Sequence, residues 1–426
     1  MSNKKNLSPC YQVVSGCETT TQTGGYMSIV GNSGYRVLIY SHDTFGLGHL
    51  RRCRTIAHAM VSRRDDVSVL ILSGSPIIGS FEFRSRVDFV RIPGVIKLSN
   101  GEYTSLNLNI DVDQILAMRE SIIQHTADVF NPDIFIVDKE PLGLRGEVES
   151  TLQMLRHRRT RLVMGLRDVM DDPVHLREEW DRKQCVPALA DLYDEIWVYG
   201  LKEICNPLEG IDLPPGVEEK MTYTGYLPRT ATRRPAPEHG ALGLEEPFYL
   251  VTTGGGGDGV NLVDWVISAY ETDPTIPVPS LVVLGPFMGP AQQNEFMKRA
   301  EKIDKLSVIT FDANVEVLMH KSAGVIGMGG YNTFCEILSF DKPAVIVPRT
   351  VPRLEQYVRA SAAEKLGLVK MLTEDDGRDP REMADALHGL IQQPKPSNVT
   401  VPNLMGGLDR VGDLVDRWLP PQMAAE

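Results

Sequence analysis

From Arg36 onward, short β-rich apolar runs alternate with stretches whose apolar residues recur at helical spacing, and this alternation is the strongest constraint on the fold. The runs are "RVLIY", "VSVLIL", "DFVRIPGV", "DIFIVD", "RLVMGLRD", "DEIWVYG" and "KMTYTGYL", with amphipathic segments such as "DQILAMRESIIQHTADVF" between them. Strands apolar along their whole length are buried on both faces, so the pattern predicts a parallel sheet with helices on each side. At 228–247 the string "PRTATRRPAPEHGALGLEEP" breaks the pattern with prolines, arginines and small residues, as a linker does. The alternation then restarts in "FYLVTTGGGGDGVNLVDWVISAY", "SLVVLGPFM", "LSVITFD", "AGVIGMGGYNTFCEILSF" and "PAVIVPRT". The expectation is α/β architecture with two doubly wound, Rossmann-like domains, at 36–227 and 248–405. A polar, disordered tail at 1–35 and a terminal helix and tail at 406–426 complete the division.

Composition narrows the function classes. A net charge of −12 argues against nucleic acid as the main partner, because phosphate-backbone binding needs a basic footprint. Six cysteines, with no C-x-x-C pair among them, suggest neither a zinc site nor a disulfide framework, which fits a cytoplasmic protein. The first 35 residues lack the apolar core of a signal peptide, and no run of about 18 apolar residues offers a spanning helix. Membrane contact, if any, is peripheral.

In two facing α/β domains a ligand sits in the cleft at the carboxyl ends of the strands, so the chemistry belongs in the βα loops. Four consecutive glycines, Gly254 to Gly257, with Gly259 beyond them, join the strand at Phe248 to Thr252 to the helix "NLVDWVISAY". Turn glycines usually come singly or in pairs; a run of four lets successive backbone N–H groups close on an anion beside a helix N-terminus, and phosphate is the expected ligand. No Lys-Ser/Thr follows, so this is not a Walker A loop. A second loop, "GMGGYNTFCEIL", puts Glu336 in the first turns of a helix, where it could hold two ribose hydroxyls or simply favour the helix dipole. A third, "PRTVPRLEQYVRA", offers Arg349, Arg353, Glu355 and Gln356 to sugar hydroxyls, or to solvent.

In the first domain "SHDTFGLGHLRRCR" follows the strand Val37 to Tyr40. It fails as a dinucleotide fingerprint, because Arg51 stands where the third glycine belongs. Gly46 and Gly48 instead read as a turn that presents His49 to the cleft, with Arg51, Arg52 and Arg54 next along the helix. The string "IDVDQ" at Asp111 to Asp113 has the D-x-D form of a metal site, yet it precedes an amphipathic helix and reads as an N-cap.

Taken in order, "TGGGGDG", "ITFDANVEVLMHKSAGVIGMGGYNTFCEIL" and "KPAVIVPRTVPRLEQYVRA" resemble the C-terminal domain of glycosyltransferase family 28, over about Phe248 to Leu368. The first half is similar, more weakly, to bacterial predicted glycosyltransferases of unassigned acceptor. The resemblance implies a GT-B fold and an inverting, metal-independent transfer from a nucleotide diphosphate sugar, with UDP as the expected nucleotide. It implies that Gly255, Gly256, Gly257 and Gly259 line the donor diphosphate, with Gly257 where peptidoglycan N-acetylglucosaminyltransferases of the family carry a hydroxyl. Phe311, Asp312, Ala313 and Asn314 fall beside the base, Gly330 and Thr333 flank the site, and Glu336 holds the ribose. Glu355 and Gln356 fall where two glutamines meet the donor sugar, and the Glu355 replacement argues against assuming N-acetylglucosamine.

Transfer also needs an acceptor, whose side of the cleft Gly46, Gly48 and Arg51 would form, with Arg51, Arg52 and Arg54 available if it is anionic, and a base for its hydroxyl. His49 is the first candidate, with Asp168 in "GLRDVMDDP" and Asp138 in "DIFIVDKEPLG" as alternatives at neighbouring strand ends. The partners implied are a nucleotide-sugar donor as substrate, with no separate cofactor, and a small-molecule, glycan or lipid-linked acceptor. A non-hydrolysing sugar-nucleotide epimerase and a non-catalytic nucleotide-sugar binder are the rival readings.

Overall fold

The computed structural model describes residues 34–42, 48–97, 103–230, 247–255, 257–312, 314–374 and 377–420. Most of the expected tail and linker, and Gly46, Gly256 and Ala313 among the expected site residues, lie outside them. The first sheet is built from β1 (Tyr35–Ser41), β2 (Val67–Ser73), β3 (Val87–Arg91), β6 (Ile134–Asp138), β7 (Arg161–Arg167), β8 (Glu195–Tyr199) and β9 (Met221–Tyr223). Two short strands, β4 (Val95–Lys97) and β5 (Tyr103–Ser105), form a separate antiparallel pair. The second sheet contains β10 (Tyr249–Thr252), β11 (Ser280–Val283), β12 (Leu306–Ile309), β13 (Gly324–Gly327), β14 (Ala344–Ile346) and β15 (Lys370–Met371).

Both sheets are parallel throughout, in the orders β3-β2-β1-β6-β7-β8-β9 and β12-β11-β10-β13-β14-β15. Each begins in the middle, winds to one edge, then returns past its first strand. The winding therefore reverses between β1 and β6 in one sheet and between β10 and β13 in the other. Loops leaving two such strands diverge and open a crevice at their carboxyl ends. Val37, Leu38, Ile39 and Tyr40 of β1 are all fully buried, which is why the central strands read as continuous apolar runs.

The helices linking the strands are α1 (Gly48–Arg63), α2 (Val112–Phe130), α3 (Glu149–Arg156), α4 (Pro173–Arg182) and α5 (Cys185–Leu192) in the first half. The second half carries α6 (Val260–Thr272), α7 (Pro290–Ala300), α8 (Val315–Lys321), α9 (Tyr331–Ser339), α10 (Glu355–Lys365) and α11 (Pro380–Leu390). The "IDVDQ" string is a helix start: Asp111 accepts the N–H of Asp113 at 2.8 Å and caps α2. Among the described residues no group of three or more His, Cys, Asp and Glu side chains could hold a metal ion. Nor is any described helix long and apolar enough to cross a membrane.

The last helix, α12 (Gly407–Trp418), returns to the first sheet. The Trp418 ring stacks on Trp197 of β8 at 5.9 Å between centroids, and Arg63 of α1 pairs with Asp413 and Asp416. The approach is tight. Gly225 has a φ of 89°, and a Cβ there would lie 2.3 Å from the carbonyl oxygen of Asn403. Tyr226 donates its N–H to Leu404 at 2.8 Å, so the backbone crosses between the two sheets both before β10 and before α12.

Candidate functional site

His49 and Asp138 meet at the first reversal point, the glycine loop and the Gly329-Gly330 turn leave the strands of the second, and the other residues singled out from the sequence follow neighbouring strands. At the first, α1 follows β1 and brings His49 over the end of β6, where Asp138 is the last residue. His49 Nδ1 lies 2.6 Å from Asp138 Oδ2, with the imidazole 18% exposed and the carboxylate 2%. One helical turn on from His49, Arg52 lies on the same face of α1 and grips that carboxylate with two bonds, Nε to Oδ1 at 2.8 Å and Nη2 to Oδ2 at 2.7 Å. Burial would raise the Asp138 carboxyl, but Arg52 and His49 hold it well below the usual carboxylate range. An ionised Asp138 accepts a hydrogen bond from a protonated His49 Nδ1, which also lies 2.9 Å from Arg52 Nη2, and in that tautomer Nε2 is the basic nitrogen. Burial lowers the His49 imidazole, partly offset by Asp138 and reinforced by Arg52 and Lys139, so the ring is neutral at pH 7.

This geometry separates the three candidate bases. Asp138 is turned inward as the partner of His49. Asp168, just past the end of β7, is fully buried: Arg359 of α10 binds both its oxygens at 2.6 and 2.7 Å, and Tyr226 donates its hydroxyl at 2.7 Å. Through Arg359 it ties the first half to the second. Arg359 also donates to the Gly329 carbonyl at 2.9 Å, and the Tyr331 ring lies between the Arg52 and Arg359 guanidinia, at 5.4 and 5.8 Å.

The three arginines that follow His49 have different partners. Arg52 is buried against Asp138, and Arg54 donates to the Glu82 carbonyl at 2.9 Å. Arg51 crosses to the second half, where Nη2 lies 2.7 Å from Glu336 Oε1 and also pairs with Glu316. The Gly48 carbonyl accepts from Asn332 Nδ2 of the second half at 3.3 Å, and a Cβ on Gly48 would lie 3.2 Å from that nitrogen.

At the second reversal point the glycine loop leaves β10 and the Gly329-Gly330 turn leaves β13. Gly254 has a φ of 67°, a conformation that side chains other than glycine resist, and a Cβ on Gly259 would fall 2.3 Å from the Thr253 Cβ. Gly257 has no neighbour near its Cβ position, and the Gly255 carbonyl accepts from the N–H of Phe287 at 3.0 Å. The helices that follow, α6 and α9, begin at Gly259 and Gly330 with no side-chain cap, which leaves backbone donors at both N-termini. Thr333 lies in the first turn of α9, and Glu336, 3% exposed, in the next. Burial and the neighbouring Glu316 raise the Glu336 carboxyl, against the opposing pull of Arg51 and Arg229.

At the start of α8, Asn314 donates its N–H to Asp312 at 2.6 Å, beside a Phe311 side chain that is 54% exposed. Glu355 and Gln356 open α10, both buried. Gln356 accepts the Arg349 N–H at 3.0 Å, and Arg349 pairs in turn with Asp258 of the glycine loop. Not foreseen from the residues alone were Asp138 as the partner of His49, the cross-cleft reach of Arg51, and Arg167, which meets Glu355 from the opposite half. One signal was available: His49 and Arg52 are three apart on a helix and so share a face.

Residues 251–400 match the model of the glycosyltransferase family 28 C-terminal domain. No curated protein sequence matches the chain. Among solved structures, the glycotransferase of kitacinnamycin superposes with a TM-score of 0.61 at 14% identity, covering 92% of this chain and 100% of that one. UDP-GlcNAc 2-epimerase from Neisseria meningitidis, bound to UDP-GlcNAc, gives 0.59 at 14% identity, with 91% and 100% covered. Acinetobacter baumannii MurG gives 0.55 at 13% identity, with 90% and 99% covered. The fold is GT-B, two Rossmann-like sheets facing across a cleft.

Proposed function

We propose that this chain, a GT-B protein carrying a family 28 C-terminal domain, is an inverting glycosyltransferase that moves a sugar from a nucleotide diphosphate sugar to an acceptor hydroxyl. The observation that carries the reading is the His49–Asp138 pair at 2.6 Å, held at one reversal point while the glycine loop and Glu336 occupy the other. Arg51, two residues from His49, reaches Glu336 at 2.7 Å, so the two groups of residues face one another within the length of a side chain.

In the proposed reaction His49 Nε2 takes the proton of the acceptor hydroxyl. The acceptor oxygen attacks the anomeric carbon as the bond from that carbon to the diphosphate oxygen breaks. The nucleoside diphosphate leaves with the bonding electron pair. Its added charge falls to the backbone N–H groups of the glycine loop and to the N-termini of α6 and α9, rather than to a metal. Asp138 keeps the imidazole in one tautomer and stabilises the imidazolium that forms, as a carboxylate behind a catalytic histidine does. Glu336 accepts the ribose hydroxyls, Asp312 and Asn314 lie by the base, and Glu355 and Gln356 face the sugar.

A melting-temperature panel of nucleoside diphosphates and nucleotide sugars tests the donor site. A ligand at 100 times its dissociation constant stabilises the fold by about 2.7 kcal/mol. UDP and UDP-sugars are expected to shift the transition, and release of UDP with an acceptor added, undiminished by EDTA, is expected in turnover. The similarity to an epimerase supports a second reading, which the same experiment separates. Conversion of a UDP-sugar to its epimer without any acceptor would replace the transferase reading, and absence of any nucleotide shift would refute both.

A further inference from the structure

We propose that the transferred sugar is gripped from both halves of the molecule, with Arg167 of the first half as a positioning residue that fixes Glu355 for sugar recognition. The inference rests on the donor reading above and goes beyond it by naming how the sugar, as distinct from the nucleotide, is read.

Arg167 is the last residue of β7, the strand beside the one that ends in Asp138. Its guanidinium crosses to the first residue of α10, where Nη2 meets Glu355 Oε2 at 2.5 Å, with the two side chains 13% and 8% exposed. The other oxygen of Glu355 faces Arg349 Nη2 at 3.3 Å. That same Arg349 holds Gln356 through its own N–H. Burial would raise the Glu355 carboxyl, but Arg167, Arg359, Arg349 and Lys139 hold it down at about 2, so it is an obligate acceptor. Two fixed points therefore remain for a sugar: the unused lone pairs of Glu355, which take hydroxyl protons, and Gln356 Nε2, which donates and lies 4.0 Å from where a Cβ on Gly330 would stand.

A second observation points the same way. The Nε groups of Arg167 and Arg349 are both buried and have no acceptor among the described residues. A buried N–H without a partner has lost its hydration with nothing in return, and these two flank the carboxylate from opposite domains. Hexose hydroxyls supply what is missing, since each donates to Glu355 and accepts from such an N–H. The ligand class is a hexose presenting neighbouring hydroxyls to this wall. Neither half holds the complete arrangement alone, because Glu355 and Gln356 come from one and Arg167 from the other.

The test compares dissociation constants of UDP, UDP-glucose, UDP-N-acetylglucosamine and UDP-glucuronate, by calorimetry, for the full chain and for Arg167→Met and Arg167→Lys. UDP affinity is expected to stay within about twofold in both variants. For Arg167→Met the best-bound UDP-sugar weakens at least tenfold and the ranking among sugars collapses, whereas Arg167→Lys, which keeps the charge but not the fork, restores part of it. In turnover the loss appears in KM for the donor more than in kcat. Should Arg167→Met fail to fold, Arg167→Lys carries the same comparison, with sugar affinity reduced and UDP affinity spared. Equal weakening of UDP and UDP-sugars makes Arg167 only a tie between domains and overturns the proposal. An unchanged sugar ranking in Arg167→Met also overturns it and leaves the donor reading intact. Failure of the wild-type chain to bind UDP removes the donor reading itself.

Discussion

Replacing His49 and Asp138 separately distinguishes a base from the group that orients it. His49→Ala removes an imidazole that is 18% exposed and neutral, and leaves Asp138 still bound to Arg52. A general base contributes about 10²–10⁴-fold, so turnover at saturating substrate should fall by that factor, while stability changes by less than about 1.5 kcal/mol. Asp138→Asn is a different perturbation. It leaves Arg52, 2% exposed, buried without its counter-charge, and breaking a buried ion pair from one side costs about 3–5 kcal/mol. This variant should lose both turnover and stability, which urea denaturation measures alongside the rate. The pH dependence supplies the sharper check. The proposed base acts in its neutral form and burial lowers the His49 pKa from the ordinary 6.5, so the acid limb of the rate profile is expected below pH 6.5. Asp138 raises that pKa through its hydrogen bond and charge, so in Asp138→Asn the limb must move to still lower pH even as the rate drops. A limb that moves upward, or a His49→Ala protein within tenfold of wild type, refutes the assignment.

Three further outcomes test other parts of the structure. Arg359→Met strands the fully buried Asp168 and should cost about 3–5 kcal/mol by denaturant titration, with much of the loss recovered when Asp168→Asn is added, and a single-variant loss below 1 kcal/mol would contradict the buried pair. Gly225→Ala combines a φ of 89° with a Cβ 2.3 Å from the Asn403 oxygen, so a loss of about 2–4 kcal/mol is expected in the urea midpoint at unchanged slope. Burial lowers the pKa of His42 and of His49, and that of His58 to about 4. Each binds more protons unfolded than folded below pH 6.5, so stability should fall as pH drops from 6.5 toward 4, and equal urea midpoints at pH 7 and pH 5 would exclude this.

The sheets were legible because their strands are buried on both faces, and a residue such as Ile39 or Leu250 advertises that by having apolar neighbours on either side in the chain. The glycine loop was legible for a related reason: Gly254 and Gly259 occupy a backbone that a Cβ would distort. Pairing across distance was not. His49 and Asp138 are brought together by the strand order, which places β6 beside β1, and nothing local to either residue records that neighbour. The arginines of "RRCR" illustrate the same limit. Arg51, Arg52 and Arg54 look alike in sequence, yet helix geometry sends one across the cleft to Glu336, one inward to Asp138 and one outward to the Glu82 carbonyl. Gly48 reads as a turn residue but also allows close approach of Asn332 from the other half.

The return of α12 sets an order of events during synthesis. Trp197 and Tyr226 are made before the entire second sheet, yet their partners Trp418 and Leu404 come after it. With about 200 residues between the members of each pair and translation at about 5–20 residues per second, the wait is on the order of 10–40 s. Through that interval the first domain emerges unfinished, one indole face and one backbone donor exposed. Its completion waits on the last helix, so a ribosome stalled anywhere in the second half releases a first domain that cannot close its own surface.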